Sequence, residues 1–225
     1  MSAIALVPAR DEADRVGDTV RALRSIGMDG LEVVVVDGGS RDDTVREAVG
    51  AGARVLRAPL AVGKGDAVEA ALWRLSPADH YLFADADLGS SASALGALLD
   101  GVLGGRADMA VAVLPAPPTG GFGLVKRAAG SAIDRLAGFS PREPLSGQRA
   151  MTAACLRACR PLASGFGLEI GLTIDAVRVG MRVVEIPVPS LEHRYTRKDL
   201  AGFRHRGRQG WDALRAVVSR SLALR

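Results

Sequence analysis

Two aspartates two residues apart, Asp85 and Asp87, follow the apolar run Tyr81-Leu82-Phe83-Ala84 and precede Leu88-Gly89. A strand ending there presents both carboxylates at its carboxyl end, where open α/β sheets collect their ligands. Oxygen donors of this charge, just before a Gly/Ser turn, suit a divalent cation such as Mg²⁺ or Mn²⁺ that also touches phosphate oxygens. The plain alternative is that Asp87 caps the next helix and Asp85 is solvated. Two other turns carry polar groups after apolar runs: Pro8-Ala9-Arg10-Asp11-Glu12 and Asp37-Gly38-Gly39-Ser40. Their carboxylates can accept hydrogen bonds from a ribose or a base N–H. Gly63-Lys64-Gly65 adds a cation on a flexible turn at a helix start, a good place for an anionic phosphate. Together these residues outline a site for a nucleoside diphosphate whose departing charge a metal held by Asp85 and Asp87 would neutralise. The first turn lacks G-x-G-x-x-G and the chain lacks G-x-x-x-x-G-K-[ST], which disfavours a dinucleotide or P-loop site.

Such turns converge only if the elements before them are parallel strands. The sequence predicts strands at 4–7, 31–36 (four consecutive valines), 54–57, 81–84 and 108–114, alternating with helices over the first half. That alternation is the signature of a mainly parallel sheet covered on both faces. Asp14 is the expected N-cap of the first helix, and Ser40 with Asp43 forms a capping-box pattern before the second. After the breaker-rich segment 115–123 (PAPPTGGFG), readable as a lid or a plain surface connection, helices are expected over 125–136, around Cys155 and around Ile170-Ile174-Val177. A last strand at 182–188 contains Pro187 and so belongs near an edge.

At 225 residues, 48% hydrophobic and 24% charged, the chain has the composition of a folded globular protein. Cys155 and Cys159, four apart on a predicted helix, have no second Cys/His pair at zinc spacing, so they read as part-buried residues of a cytoplasmic protein. Asp11 and Glu12 follow the short N-terminal apolar run too closely for a signal peptide, and no apolar run is long enough to span a membrane. The net charge of +4 is uneven: residues 194–225 hold nine Lys/Arg against two Asp, leaving a mildly acidic body at 1–193 and a basic tail. The tail, with Arg204, Arg206 and Arg208 before an amphipathic run at 214–222, is readable as an acceptor site, a contact with anionic lipid at the membrane's inner face, or solvated surface. A nucleic-acid partner is disfavoured by the acidic body and few aromatics; a homodimer is left open.

VPARDEADRV, VVVVDGGSRDDT, VGKGDAV and FADADL, in this order and spacing, resemble a GT-A-type (Rossmann-like) glycosyltransferase of the family 2 kind over most of the chain, from Ile4 to about His193. Within that group LSGQRAM, GFGLEIG and a late histidine are similar to glucosyl-3-phosphoglycerate synthases and, more broadly, polyprenyl-phosphate sugar transferases. The resemblance implies a three-layer fold and a nucleoside cradle of Pro8, Ala9, Arg10, Glu12 and Asp37. It also implies Lys64 near the base or phosphates, and Asp85-Ala86-Asp87 as the D-x-D pair with Asp87 the direct ligand of Mg²⁺ or Mn²⁺. His193 would complete the metal shell. Glu169 is placed near the acceptor hydroxyl as base or orienting group, although a carboxylate favoured by a helix N-terminus explains it equally. Gly147, Gln148 and Arg149 fall on the acceptor side, where Arg149 either binds an anion or pairs with a surface carboxylate. Gly38-Gly39 departs from the commoner Asp-Gly, so one acidic group is absent from that turn.

The expected activity is therefore metal-dependent transfer of a sugar from a UDP- or GDP-linked donor to an anionic acceptor, phosphate- or carboxylate-bearing, either free or lipid-linked. A sugar-phosphate nucleotidyltransferase would share the α/β body but carries a long Gly/Arg-rich loop after its first strand, which 8–12 is not. A non-catalytic nucleotide-binding module recruited to membranes is the third class; the D-x-D pair, Glu169 and His193 weigh against it.

Overall fold

The structure is a computed structural model that describes residues 1–61, 63–115, 123–192 and 217–221. Its centre is a seven-stranded sheet of β1 (Ala3–Ala9), β2 (Leu31–Asp37), β3 (Arg54–Arg57), β4 (His80–Phe83), β5 (Met109–Val113), β6 (Arg149–Thr152) and β7 (Val183–Pro187), in the order β3-β2-β1-β4-β6-β5-β7. β1 pairs in parallel with β2 and β4, β2 with β3, and β5 with β7; β6 runs antiparallel between β4 and β5. Pro187 lies on the edge strand, as its missing N–H requires.

Successive residues of a strand face opposite sides. Ala5, Val7, Val33 and Val35 therefore meet α1 (Val16–Arg24), α2 (Thr44–Gly50) and α4 (Gly96–Leu103) on one face. Ile4, Leu6, Val34 and Val36 meet α3 (Lys64–Leu72), α6 (Ala153–Ala158) and α7 (Leu168–Arg178) on the other. A third cluster joins Ala129 and Ile133 of α5 (Gly123–Ala137) to Ile170 and Ile174 of α7, with Val217 packed against it. Beside Val217, Arg220 pairs with Asp175 and its carbonyl accepts from Arg178 Nη1 at 2.9 Å, so the described piece of the tail rests on α7. Both cysteines are buried and unbridged.

Three local expectations change. The caps move from the expected residues: the N-cap position of α1 is Arg15 rather than Asp14, and Arg15 and Val16 donate their N–H groups to the Glu12 carbonyl. Ser40 instead accepts from Asp11 N and donates its own N–H to Asp37 Oδ1, while α2 begins only at Thr44. The strand β6 was not expected, because four residues beginning with an arginine carry no readable alternation. The segment 115–123, apart from its ends, lies outside the described residues, as does the tail at 193–216.

Candidate active site

Because β1, β2 and β4 are parallel neighbours, their carboxyl ends share one rim: Ala9 lies beside Asp37, and Leu6 beside Phe83. The first two turns are stitched together there. Gly38 N donates to the Ala9 carbonyl at 2.9 Å, Glu12 N to Thr44 Oγ1 at 2.8 Å, and Arg41 N to Asp11 Oδ1 at 2.8 Å. Asp11 adopts φ 55°, a left-handed conformation that aspartate tolerates better than most non-glycine residues, and these bonds on both sides hold it in place. Asp37 is buried behind this loop, while Arg10 is exposed at its front.

The D-x-D turn is fixed from behind by α1. Thr19, fully buried, donates Oγ1–H to the Ala86 carbonyl and accepts from Gly89 N, both at 2.8 Å, and Arg15 Nη1 donates to the Asp87 carbonyl at 2.9 Å. Backbone groups that would otherwise be stranded at a strand end are thus satisfied, and the turn has one shape.

In front of it lies a charged cluster. Lys64 Nζ sits 2.6 Å from Asp85 Oδ1 and 3.1 Å from Glu169 Oε1, and Gln148 Nε2 donates to Asp85 Oδ2 at 2.6 Å. Burial works against the lysine's charge, but the two carboxylates outweigh it and hold its pKa above the ordinary lysine value. The glycines flanking Lys64 are there for close packing rather than flexibility. A Cβ on Gly65 would lie 1.9 Å from the Ala163 carbonyl oxygen, and one on Gly63 2.7 Å from Gly165 Cα. Gly147 is crowded by side chains rather than backbone, since its Cβ would meet Lys64 Nζ at 2.5 Å and both Asp85 carboxylate oxygens at 3.0 Å.

The structure brings together Pro8, Ala9, Glu12 and Asp37 on one side of this rim, and Lys64, Asp85, Gly147, Gln148 and Glu169 on the other, with Asp87 on the turn between β4 and α4. Lys64, expected near the base or phosphates, pairs in this structure with Asp85 and Glu169. Arg149 also departs from expectation. It is 1% exposed, with Nε donating to the Ser146 carbonyl at 2.9 Å and Nη1 to Thr173 Oγ1 at 2.8 Å. A guanidinium so enclosed is neither displayed to a ligand nor paired at the surface. His193 lies outside the described residues. Thr19, Arg15 and Thr173 were missed; the available signal was a hydroxyl residue on an otherwise apolar helical face, at Thr19 between Val16, Val20 and Leu23, and at Thr173 between Ile170 and Ile174.

The donor set fits a hard cation in part. Both Asp85 oxygens accept hydrogen bonds, from Lys64 and Gln148, and the carboxylates of the D-x-D pair are oxygen donors of the kind such a cation takes. Among the described residues no three His, Cys, Asp or Glu side chains gather at metal-binding distance, so a cation at Asp87 would draw its other ligands from His193, water or the diphosphate.

Residues 4–153 match the family model described as glycosyl transferase family 2. The chain belongs to that family. A glucosyl-3-phosphoglycerate synthase of Mycolicibacterium paratuberculosis is 32% identical over 221 residues, covering 84% of this chain and 64% of that protein. The glycosyltransferase AglJ of Haloferax volcanii is 30% identical over 190 residues, covering 81% of this chain and 60% of that protein. The chain thus spans under two thirds of the length of these relatives. Among solved structures, glucosyl-3-phosphoglycerate synthase of Mycobacterium tuberculosis in complex with Mn²⁺, UDP and phosphoglyceric acid superposes with a TM-score of 0.82 at 26% identity, over 97% of this chain and 78% of that one. The same enzyme with Mg²⁺ and UDP gives 0.79 at 25% identity, over 97% and 79%. The mixed α/β architecture with its mostly parallel sheet is therefore the GT-A fold.

Proposed function

We propose that this family 2 protein transfers a sugar from a UDP-linked donor to an acceptor bearing a phosphate or carboxylate, with Mg²⁺ or Mn²⁺ at Asp87. The observation that carries the reading is the bridge through Lys64, which ties the D-x-D turn (Asp85) to the start of α7 (Glu169), so donor-side and acceptor-side elements meet at one cation. Relatives whose structures hold UDP-glucose, Mn²⁺ and phosphoglyceric acid support the same ligand classes.

In this reading Pro8, Ala9, Arg10, Glu12 and Asp37 receive the nucleoside. Asp37 is itself held by Ser40 N, so it can accept from the ligand without reorganising. A metal at Asp87 supplies charge neutralisation for the departing diphosphate. Glu169, already committed to Lys64, acts by orienting, and the 147–148 backbone limits how the acceptor approaches. Membrane contact through the tail is part of the proposal only as a surface for a lipid-linked acceptor; among the described residues no helix is long and apolar enough to cross a membrane.

The test is thermal shift with UDP, GDP, UDP-glucose and GDP-mannose, each with and without Mn²⁺, followed by transfer to 3-phosphoglycerate, glycerate and glycerol. A ligand that binds only the folded state raises its melting temperature. Metal-dependent stabilisation by UDP, with transfer to the anionic acceptors and not to glycerol, is expected. Stabilisation by no nucleotide, or transfer indifferent to acceptor charge, would overturn the proposal.

A further inference from the structure

The one arginine of the expected acceptor set turns out to face inward, and its position closes a ring. Starting at Arg149, Nε holds the Ser146 carbonyl, which fixes the turn carrying Gly147 and Gln148. Gln148 reaches Asp85, Asp85 pairs with Lys64, and Lys64 pairs with Glu169. Thr173 Oγ1 then donates to the Glu169 carbonyl at 3.0 Å and accepts from Arg149 Nη1 at 2.8 Å, returning to the start. Six side chains and two carbonyls from α3, the β4 end, β6 with its entry turn, and α7 are joined without a gap.

Only a planar fork can span the two far attachments at once, because Nε and Nη1 diverge in a fixed geometry that an ammonium lacks. Burial is the cost: it pushes the Arg149 pKa down to about 10, with Glu169 pulling the other way. Nη2 is buried with no hydrogen-bond partner among the described residues. A buried, incompletely satisfied cation is destabilising compared with an apolar residue of similar volume. A methionine would fill the space between Met109 and α7 more cheaply, so the guanidinium's contribution lies in what it orients.

We propose that Arg149 is a positioning residue: it locks the Gln148 turn and the Glu169 end of α7 into one register around the Lys64–Asp85 pair. It does not touch the acceptor. This rests on the glycosyltransferase reading for its kinetic consequence, and on the ring alone for its structural one.

The experiment compares wild type with Arg149→Met, Arg149→Lys and Thr173→Val, measuring kcat and both KM values for UDP-glucose and 3-phosphoglycerate. In parallel, acetylation of Lys64 by limiting acetic anhydride is followed by mass spectrometry, with Lys126 as the internal reference. Misplacing a catalytic constellation by about 1 Å costs on the order of 100-fold. Arg149→Met is therefore expected to lose about 10- to 100-fold in kcat with acceptor KM within about twofold, and Arg149→Lys to recover part of it. Thr173→Val, which keeps the cation and the core volume, is expected to lower kcat in the same sense should Arg149→Met fold poorly. Lys64 is expected to acetylate faster in Arg149→Met and Thr173→Val than in wild type, relative to Lys126. A raised acceptor KM with kcat intact would overturn the proposal in favour of direct acceptor binding, and so would unchanged Lys64 reactivity in both variants. A wild type inert with every donor would refute the proposed function while the acetylation arm still decides the ring.

Discussion

Gly65→Ala separates local propensity from tertiary packing by the sign of its effect. Gly65 lies in the first turn of α3, and replacing a helical glycine by alanine normally stabilises by about 1 kcal/mol. Here the new methyl would sit 1.9 Å from the Ala163 carbonyl oxygen, 3.0 Å from its carbon and 3.3 Å from Ser164 Cα. All three are backbone atoms, so no side-chain end can swing away, and α3 must back off by about 1 Å to reach even 3.0 Å. Overpacking of this kind costs about 1–3 kcal/mol, and contact with backbone on the facing segment puts it at the upper end. Set against the propensity gain, the net loss is about 2 kcal/mol, or about 4–8 °C in melting temperature for a chain of this size. Urea unfolding and a thermal melt measure it. The same displacement carries Lys64 away from Asp85 and Glu169, so nucleotide-dependent thermal shift should shrink as well. A variant as stable as wild type or more so would show that the 163–165 segment does not clamp α3, and the close-packing account of the glycines would fail.

Asp87→Ala is expected to abolish Mn²⁺-dependent UDP binding in calorimetry while Asp85→Ala weakens it less; near-normal metal dependence in Asp87→Ala would remove that residue from the metal site. Thr19→Val deletes a buried hydroxyl that serves Ala86 O and Gly89 N, and at about 1–3 kcal/mol per stranded group should lower the urea midpoint and weaken metal–nucleotide binding together. Lys64→Gln leaves two carboxylates without their cation and is expected to destabilise by about 3 kcal/mol at pH 8, the low end for a broken buried pair because Asp85 is partly exposed. The folded pKa of Lys64 lies above its unfolded value near 10.5, so the stability it gives is complete below about pH 10.5 and is lost as pH rises through the higher folded value. The gap between wild type and Lys64→Gln should therefore narrow only in strongly alkaline urea titrations; a gap that already closes between pH 7 and 9 would contradict the ion-pair assignment.

The half of the sheet that carries β1, β2 and β4 was legible because buried parallel strands are short apolar runs, and the D-x-D pair and Asp37 stand where those runs stop. The other half was less so. β6 is four residues long, starts with an inward-facing arginine, and pairs with strands about 40 and 66 residues earlier, a register no local pattern encodes. Lys64 was correctly placed at a helix start, but its partners come from β4 and α7, and a glycine-flanked lysine looks the same whether its glycines bend or pack. The caps moved for a related reason: Ser40 is a good capping residue, but the 8–15 and 37–44 turns bond to each other across the rim, and Asp42 in place of Ser40 accepts from Thr44 N at the start of α2. Arg149 shows the limit of residue type as evidence, since a cation in an expected binding segment can be facing the core.

The reversed strand β6 has a consequence for how such a protein can diversify. In an all-parallel sheet every ligand-side loop departs from a strand end and leads into the next helix, so altering it disturbs two elements. Because β6 runs the other way, its entrance abuts the end of β4, with Arg149 beside Phe83. The peptide arriving from α5 through 138–148 therefore reaches the site before its strand begins. The part of it before Ser146 can change in length while β3-β2-β1-β4 and the nucleotide turns keep their pairing intact, whereas residues 146–148 are held by Arg149 and Asp85. Variation is thereby confined to the approach, with Gln148 as the point where any arriving loop must still engage Asp85.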